Sequence, residues 1–188
     1  MLQYDDNKHE YRYKGVVIPS VTQVLPKIDF HMSESKLEVK RLEGKDTHSK
    51  IKMFFDTGDD FNDPFLMMLG VWMKTNKKLT GKLVQHEGQL FSKKHLFGGT
   101  PDMVFEEALV DWKSSLYAPK HFSLQLAGYN ILTSENKVIG KTKKWIILYP
   151  DGGVIKMKNV YNSLAEDVFI ASVRKWQLER TIENYMKG

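Results

Sequence analysis

The chain has 188 residues, enough for one domain with a real core. It contains no cysteine, which excludes disulfides, cysteine-ligated zinc and iron–sulfur clusters. A formal charge of +5 favours a polyanion partner without requiring one, because a solvated lysine-rich surface gives the same signature.

Met1 to Glu10 is polar and acidic, unlike a signal peptide. The longest apolar run, Phe65 to Met73, is too short to cross a bilayer. The expectation is a cytoplasmic protein with no membrane association. Lysines gather at Lys74, Lys77, Lys78 and Lys82, at Lys93 and Lys94, and from Lys137 to Lys144, with no run dense enough for a basic tail. No internal repeat or low-complexity linker divides the chain, so residues 1–188 read as a single domain.

Tyr11 to Ile18 alternates as a strand or short hairpin around Lys14-Gly15. Pro19-Ser20 opens a short helix, Val21 to Leu25, ended by Pro26. Ser33 begins a helical stretch reaching Phe55, interrupted by Gly44. Glycine in a helix interior costs about 1 kcal/mol relative to alanine. Two helices meeting near Gly44 are therefore expected, the second from Lys45 to Phe55. Gly58 to Asp60 is a turn. Asp63 is an N-cap with Pro64 at the first helical position, and the helix to Thr75 is apolar almost all round, as a buried helix would be.

The pattern then shortens. Lys82 to Phe91, Gly99 to Phe105 and Ala108 to Lys113 read as strands. Phe122 to Leu132 reads as a helix with Phe122, Gln125, Leu126, Tyr129 and Leu132 on one face. Trp145 to Tyr149 and Val154 to Lys158 form a hairpin around Asp151-Gly152. A last helix starts at a Ser163-x-x-Glu166 capping box, with a stripe of Leu164, Ala165, Val168, Phe169, Val173 and Trp176. This order predicts an α/β or α+β domain with a central mixed β-sheet flanked by helices.

The chemistry concentrates in Gly98-Gly99-Thr100-Pro101-Asp102 and Leu109-Val110-Asp111-Trp112-Lys113. In a strand Asp111 and Lys113 point the same way and Trp112 the other. If Glu106-Glu107 is a two-residue loop, Phe105 pairs with Ala108 and Asp102 falls opposite Asp111. Opposed residues have Cα atoms about 4.5–5.5 Å apart, so the carboxylates repel unless one is protonated or a cation lies between them. A hard divalent cation resolves that repulsion. Lys113 beside it would steer a metal-bound water and stabilise charge on a phosphate. The competing reading is a cross-strand salt bridge between Asp111 and Lys113 on a solvated face.

Gln125 and Tyr129 share one helical face, so Gln125 is either a satisfied core amide or part of a site. His48 lies on the inward stripe Gly44, His48, Ile51 and Phe55, where a core histidine competes with a ligand. Glu87, mid-strand, has the same two readings. Trp72, Phe97 and Tyr117 are either core or stacking surfaces for bases.

In order along the chain these residues resemble the RecB-like branch of the PD-(D/E)XK nucleases. Gly44-x-x-x-His48 comes first, then Glu87, then Gly99-x-x-Asp102, then Asp111-Trp112-Lys113, then Gln125-x-x-x-Tyr129. Ile18-Pro19-Ser20-Val21-Thr22-Gln23-Val24-Leu25 is similar to the start of small phage and mitochondrial exonucleases of this branch, and Thr100-Pro101-Asp102 to phage lambda-type exonucleases. The resemblance covers Tyr11 to Ile131.

It implies a restriction-endonuclease-like fold and a DNA exonuclease dependent on Mg²⁺ or Mn²⁺. It implies that Asp102, Asp111, His48 and the Trp112 carbonyl hold the metal and that Lys113 orients the attacking water. Gln125 and Tyr129 would position the site and the DNA strand, and Glu87 would support a second metal or the motif helix. The partner implied is DNA, single-stranded or with a free end, in phage or mobile-element recombination or replication, with a possible partner protein of that machinery. The chain departs from members that carry a four-cysteine iron–sulfur cluster and from those with helicase domains. A junction-type or restriction-type endonuclease on the same core, a DNA-binding protein on a decayed fold, and a coincidental match on an unrelated α/β domain are the alternatives.

Overall fold

The computed structural model describes residues 2–5, 10–27, 34–60, 62–116 and 118–187. The expected helix start at Ser33 and the aromatic Tyr117 lie outside them.

The chain opens with β1 (Leu2–Asp5), β2 (Glu10–Tyr13) and β3 (Val16–Ile18), an antiparallel three-stranded sheet. The expected hairpin at Lys14-Gly15 is present. Both residues take positive φ, 51° and 82°, which matches the twist of a tight hairpin. A 3-10 turn at Thr22–Val24 replaces the expected short helix.

α1 (Glu34–Thr57) runs unbroken through Gly44. The expected break is absent because about 1 kcal/mol at one glycine is small against a helix anchored further along by buried Ile51. α2 (Pro64–Thr75) begins as expected, with the Asp63 carboxylate accepting from the amides of Phe65 and Leu66. It is buried on one face only: Leu66, Leu69 and Trp72 point inward, while Met67 and Val71 are exposed. A short α3 (Lys77–Thr80) follows.

Two expected strands are each divided. Lys82 to Phe91 becomes β4 (Leu83–His86) and β5 (Leu90–Ser92), broken at Glu87, whose φ is 50°. Gly99 to Phe105 becomes β6 (Phe97–Gly99) and β7 (Met103–Phe105), broken at Thr100-Pro101-Asp102. Proline supplies no amide to a ladder, which accounts for the second break. β5 and β6 form a separate ribbon that joins Ser20 through Gly98. β8 (Leu109–Trp112), α4 (Pro119–Glu135), β9 (Trp145–Asp151), β10 (Val154–Asn159) and α5 (Ala165–Lys187) complete the chain. The capping box does not form at α5: Asn162 Oδ1 accepts from the Leu164 amide, and Glu166 instead binds Asn130 and Lys141. Of the α5 stripe, Ala165, Phe169 and Val173 are buried, and Leu164 and Val168 are exposed.

The main sheet has the order β10-β9-β8-β7-β4, with β8 and β9 parallel and the other neighbours antiparallel. Side chains alternate across it. Val104, Leu109 and Ile147 enter a core under α4 and α5, with Phe122, Leu126 and Phe169. Met103, Val110, Trp112, Ile146 and Leu148 enter a second core under α1 and α2, with Ile51, Leu66 and Leu69. This is a mixed sheet with helices on both faces, as expected.

Candidate active site

The site grows from the β7–β8 hairpin. Met103 pairs with Val110 and Val104 with Leu109, and the Phe105 amide donates to the Ala108 carbonyl. Continuing that register sets Asp102 opposite Asp111. Glu106 and Glu107 do not take the positive φ of a type I′ turn. The turn is held from outside, by Glu106 and Glu107 amides donating to the Lys82 and Thr80 carbonyls.

The two oxygens of Asp102 are divided between partners. Oδ2 accepts the Trp112 amide at 2.9 Å. Oδ1 faces His48 Nδ1 at 3.7 Å, and the same nitrogen lies 3.7 Å from Glu87 Oε1. One ligand atom from each of His48, Glu87 and Asp102 falls within 4.8 Å of the others. Such spacing, with two hard oxygens and an imidazole, fits a divalent cation. The charge of Asp102, then the hydrogen bond to Glu87, raises the His48 pKa to about 9.

Glu87 reaches this cluster through its unusual backbone. Its amide donates to the Asp102 carbonyl at 3.1 Å, extending the β4–β7 pairing by one rung. Its φ of 50° then turns the chain away. A Cβ at the following Gly88 would sit 1.6 Å from the Gln85 side-chain nitrogen, so a larger residue there requires that side chain to swing aside.

Asp111 lies deeper. It is wholly buried on β8, and it is outside the three-residue cluster. Oδ2 lies 2.5 Å from the Lys113 ammonium, as expected of residues two apart on a strand. Oδ1 receives the Gln125 amide at 3.3 Å, and the same nitrogen lies 3.3 Å from the Tyr129 hydroxyl. Burial first, then the charge of Asp102, raises the Asp111 pKa, against Lys113. Burial and then the charges of Asp111 and Asp102 raise the Tyr129 pKa.

The structure thus brings His48, Glu87 and Asp102 into one group, and Asp111, Lys113, Gln125 and Tyr129 into a second that touches it through charge. Glu87 sits beside His48 and Asp102, nearer to them than a supporting role requires. Trp112 enters through its amide. Gly44 is in α1, and a Cβ there would meet nothing within 4 Å, so no close approach of helix to sheet depends on that glycine. Trp72 and Phe97 are buried in the cores and present no stacking surface.

Three features of the site were not found from the sequence. The Tyr11 hydroxyl hydrogen-bonds Thr100 Oγ1 at 2.7 Å, and burial pushes its pKa up to about 12. Its ring lies against Gly98, where a Cβ would come within 2.4 Å of it. The Gly98-Gly99 pair admits that ring and the side chains of Val21 and Tyr129, and so seats the loop leading to Asp102. His121, in the first turn of α4, has its pKa lowered by burial and then by Lys113. His86 Nε2 lies 3.4 Å from Asp56 Oδ1 behind Glu87. Isolated aromatic and histidine residues carry no spacing signal, so nothing local in the sequence announces these contacts.

No family model matches the chain, and no curated protein matches it.

Proposed function

We propose that the chain is a divalent-metal-dependent deoxyribonuclease of the PD-(D/E)XK kind, an exonuclease cutting phosphodiester bonds from DNA ends. The observation that carries this reading is the Asp102–Asp111 pair across the β7–β8 hairpin, with Lys113 on one carboxylate and His48 and Glu87 beside the other. The run α1, β4, β7, β8, α4, β9, its last strand parallel to its neighbour, supports a restriction-endonuclease-like reading of the fold.

On this reading Asp102, His48 and Glu87 would hold the metal, with Asp111 and the Trp112 carbonyl as further ligands. Mg²⁺ or Mn²⁺ supplies charge for the phosphate and an acidified water. Lys113 holds a proton donor and a positive charge next to the scissile phosphate. Gln125 fixes the Asp111 carboxylate through its amide, and Tyr129 anchors Gln125. Free ends are the preferred substrate because a frayed strand reaches Asp102 and Asp111 without unpairing a duplex. A role in phage or mobile-element recombination or replication, alongside a partner protein, belongs to the same proposal.

The test is purified protein with end-labelled linear and closed circular DNA, in Mg²⁺, in Mn²⁺ and in excess EDTA. Linear DNA should shorten from its ends only with metal, and closed circles should survive. Equal nicking of circles would assign an endonuclease. DNA binding without any cleavage would assign a binding protein on the same fold.

A further inference from the structure

We propose that the tip of the β5–β6 ribbon, with Lys93 and Lys94, joins Arg174 of α5 as an anchor for the phosphates of a bound DNA strand, away from the bond that is cut. This rests on the nuclease reading and adds a place on the surface to it.

Both ends of the ribbon are rooted at the candidate active site. Leu90 pairs with Gly99, three residues after Glu87 and three before Asp102. The tip is three residues further on, roughly 10 Å along a strand. Charges on one strand of a duplex are spaced about 3.4 Å along the helix axis, so the tip stands a few phosphates from the root.

The ribbon behaves as a strut. Leu90, Phe91, Ser92, Phe97, Gly98 and Gly99 are all buried. Phe97 meets Phe169 of α5 edge-on at 5.0 Å, and Asn136 of α4 donates to the Phe91 carbonyl. The tip itself is fastened. Ser92 Oγ accepts from the His95 amide, and Gln177 of α5 donates to the carbonyls of His95 and Leu96. Two lysines on a pinned turn lose less freedom on binding than two on a mobile loop.

The charge there is unbalanced. Lys93, Lys94 and Arg174 are exposed, and none forms an ion pair with another described residue. Lys94 and Arg174 lie close enough to His95 to lower its pKa, behind the larger effect of burial and against Glu135. Of the acids that line the same groove, Glu135 faces His95, Glu166 binds Asn130 and Lys141, and Glu179 meets Lys175. Because burial keeps His95 from balancing Glu135, that leaves, among the described residues, Glu135 and Asp167 against three unpaired cations. The groove also carries Ile131, Ile170, Leu178 and Ile182, apolar surface beside the charged groups. Lys74, Lys77 and Lys78 lie in α2 and α3, on the other face of the sheet.

The test measures binding of fluorescent oligothymidylates of 3 to 20 nucleotides in metal-free buffer, across a salt series, by anisotropy. Wild type is compared with K93A/K94A/R174A and with K74A/K77A/K78A, which removes the same charge elsewhere. Thermal melts of all three establish that they are folded. Wild type should gain affinity steeply once the strand is long enough to reach from Asp102 to the tip. In K93A/K94A/R174A that step should vanish, and the slope of log affinity against log salt should fall by about 2, three contacts at about 0.7 each for a single strand. K74A/K77A/K78A should keep both. Equal losses in the two variants, or none in K93A/K94A/R174A while wild type binds, would overturn the anchor and leave the groove to a protein partner. Wild type that binds no oligonucleotide and cuts none would overturn the nuclease reading itself.

Discussion

Asp102 and Trp112 are tied across the β7–β8 turn by a 2.9 Å hydrogen bond, in which the Trp112 amide donates to Asp102 Oδ2. The bond lies just beyond the last paired rung of the hairpin. It leaves Oδ1 directed at His48. A residue proposed as a ligand is therefore also the partner of a buried backbone donor.

This separates two substitutions. Asp102→Asn keeps an oxygen for the Trp112 amide, and Asp102→Ala does not. An orphaned buried donor costs about 1–3 kcal/mol. At about 2–4 °C per kcal/mol for a domain of this size, Asp102→Ala should melt several degrees below Asp102→Asn. Both should lose metal-dependent cleavage. Identical melting curves would show that the amide finds another partner.

Asp111 has the opposite character. Its raised pKa means that the folded chain prefers the protonated acid. Stability from this group is fully present below the unfolded value, near 3.8, and is lost as pH rises through the higher folded value. At neutral pH the bare carboxylate is a liability that a cation relieves. Asp111→Asn should therefore be folded, inactive, and at least as stable as wild type in metal-free buffer at pH 7. Its melting temperature should depend less on pH above 4. Melting well below wild type would make the Lys113 ion pair the dominant contact.

His48 titrates the other way. Its pKa is raised from 6.5 to about 9, so the protonated ring stabilises the fold below 6.5 and that contribution fades as pH climbs to 9. The ring is about one-third exposed, so solvent screens the effect on stability. The stronger consequence is for metal, which must displace that proton. Mn²⁺ affinity measured by calorimetry should rise between pH 6.5 and 9, with proton release visible in buffers of different ionisation enthalpy. His48→Gln should flatten that rise. An unchanged pH dependence in His48→Gln would return His48 to the packing role.

The elements most legible in the sequence were those with local chemistry: the Asp63 cap, the Lys14-Gly15 hairpin, α4, and the 106–107 turn register that opposes Asp102 to Asp111. The illegible parts depend on distant partners. Lys82 to Phe91 reads as one strand, yet Glu87, after a last rung from its amide to the Asp102 carbonyl, turns out of it at a φ of 50°. The pattern of α2 looks buried all round, yet the chain supplies only one surface for it, and Met67 and Val71 face outward. In the site, Asp111 and Lys113 followed from strand period alone, whereas the proximity of His48 and Glu87 required α1 and β4 to meet at the sheet end.

Glu87 links backbone strain to the site. A non-glycine residue in the left-handed region costs about 1–2 kcal/mol. Glu87→Gly should relieve this and raise the melting temperature by a few degrees while weakening metal binding. Glu87→Gln should weaken metal binding and leave the melting temperature near wild type. Gly88→Ala requires the Gln85 side chain to swing aside, so it should lower the melting temperature without the loss of metal binding expected of the two Glu87 variants. Glu87→Gly with undiminished metal affinity would remove Glu87 from the ligand set.

Gln125 decides between a core and a site in one experiment. Its amide is buried on α4 among Phe122, Leu126 and Tyr129, surroundings in which leucine packs as well as glutamine. Its nitrogen is 3.3 Å from both Asp111 Oδ1 and the Tyr129 hydroxyl, long for hydrogen bonds and individually weak. Gln125→Leu adds apolar contact but leaves the buried Asp111 Oδ1 and Tyr129 hydroxyl without that partner, so its melting temperature should fall by a few degrees at most. It also leaves Asp111 held only from the Lys113 side, free to rotate away from the position facing Asp102. Cleavage should fall by at least about tenfold, the equivalent of about 1.4 kcal/mol in the transition state. Gln125→Glu sets a second acid beside Asp111, and it should lose activity and also destabilise the metal-free protein at neutral pH. A Gln125→Leu protein that cuts DNA at the wild-type rate would make the amide a packing residue and leave Asp111 to Lys113 alone.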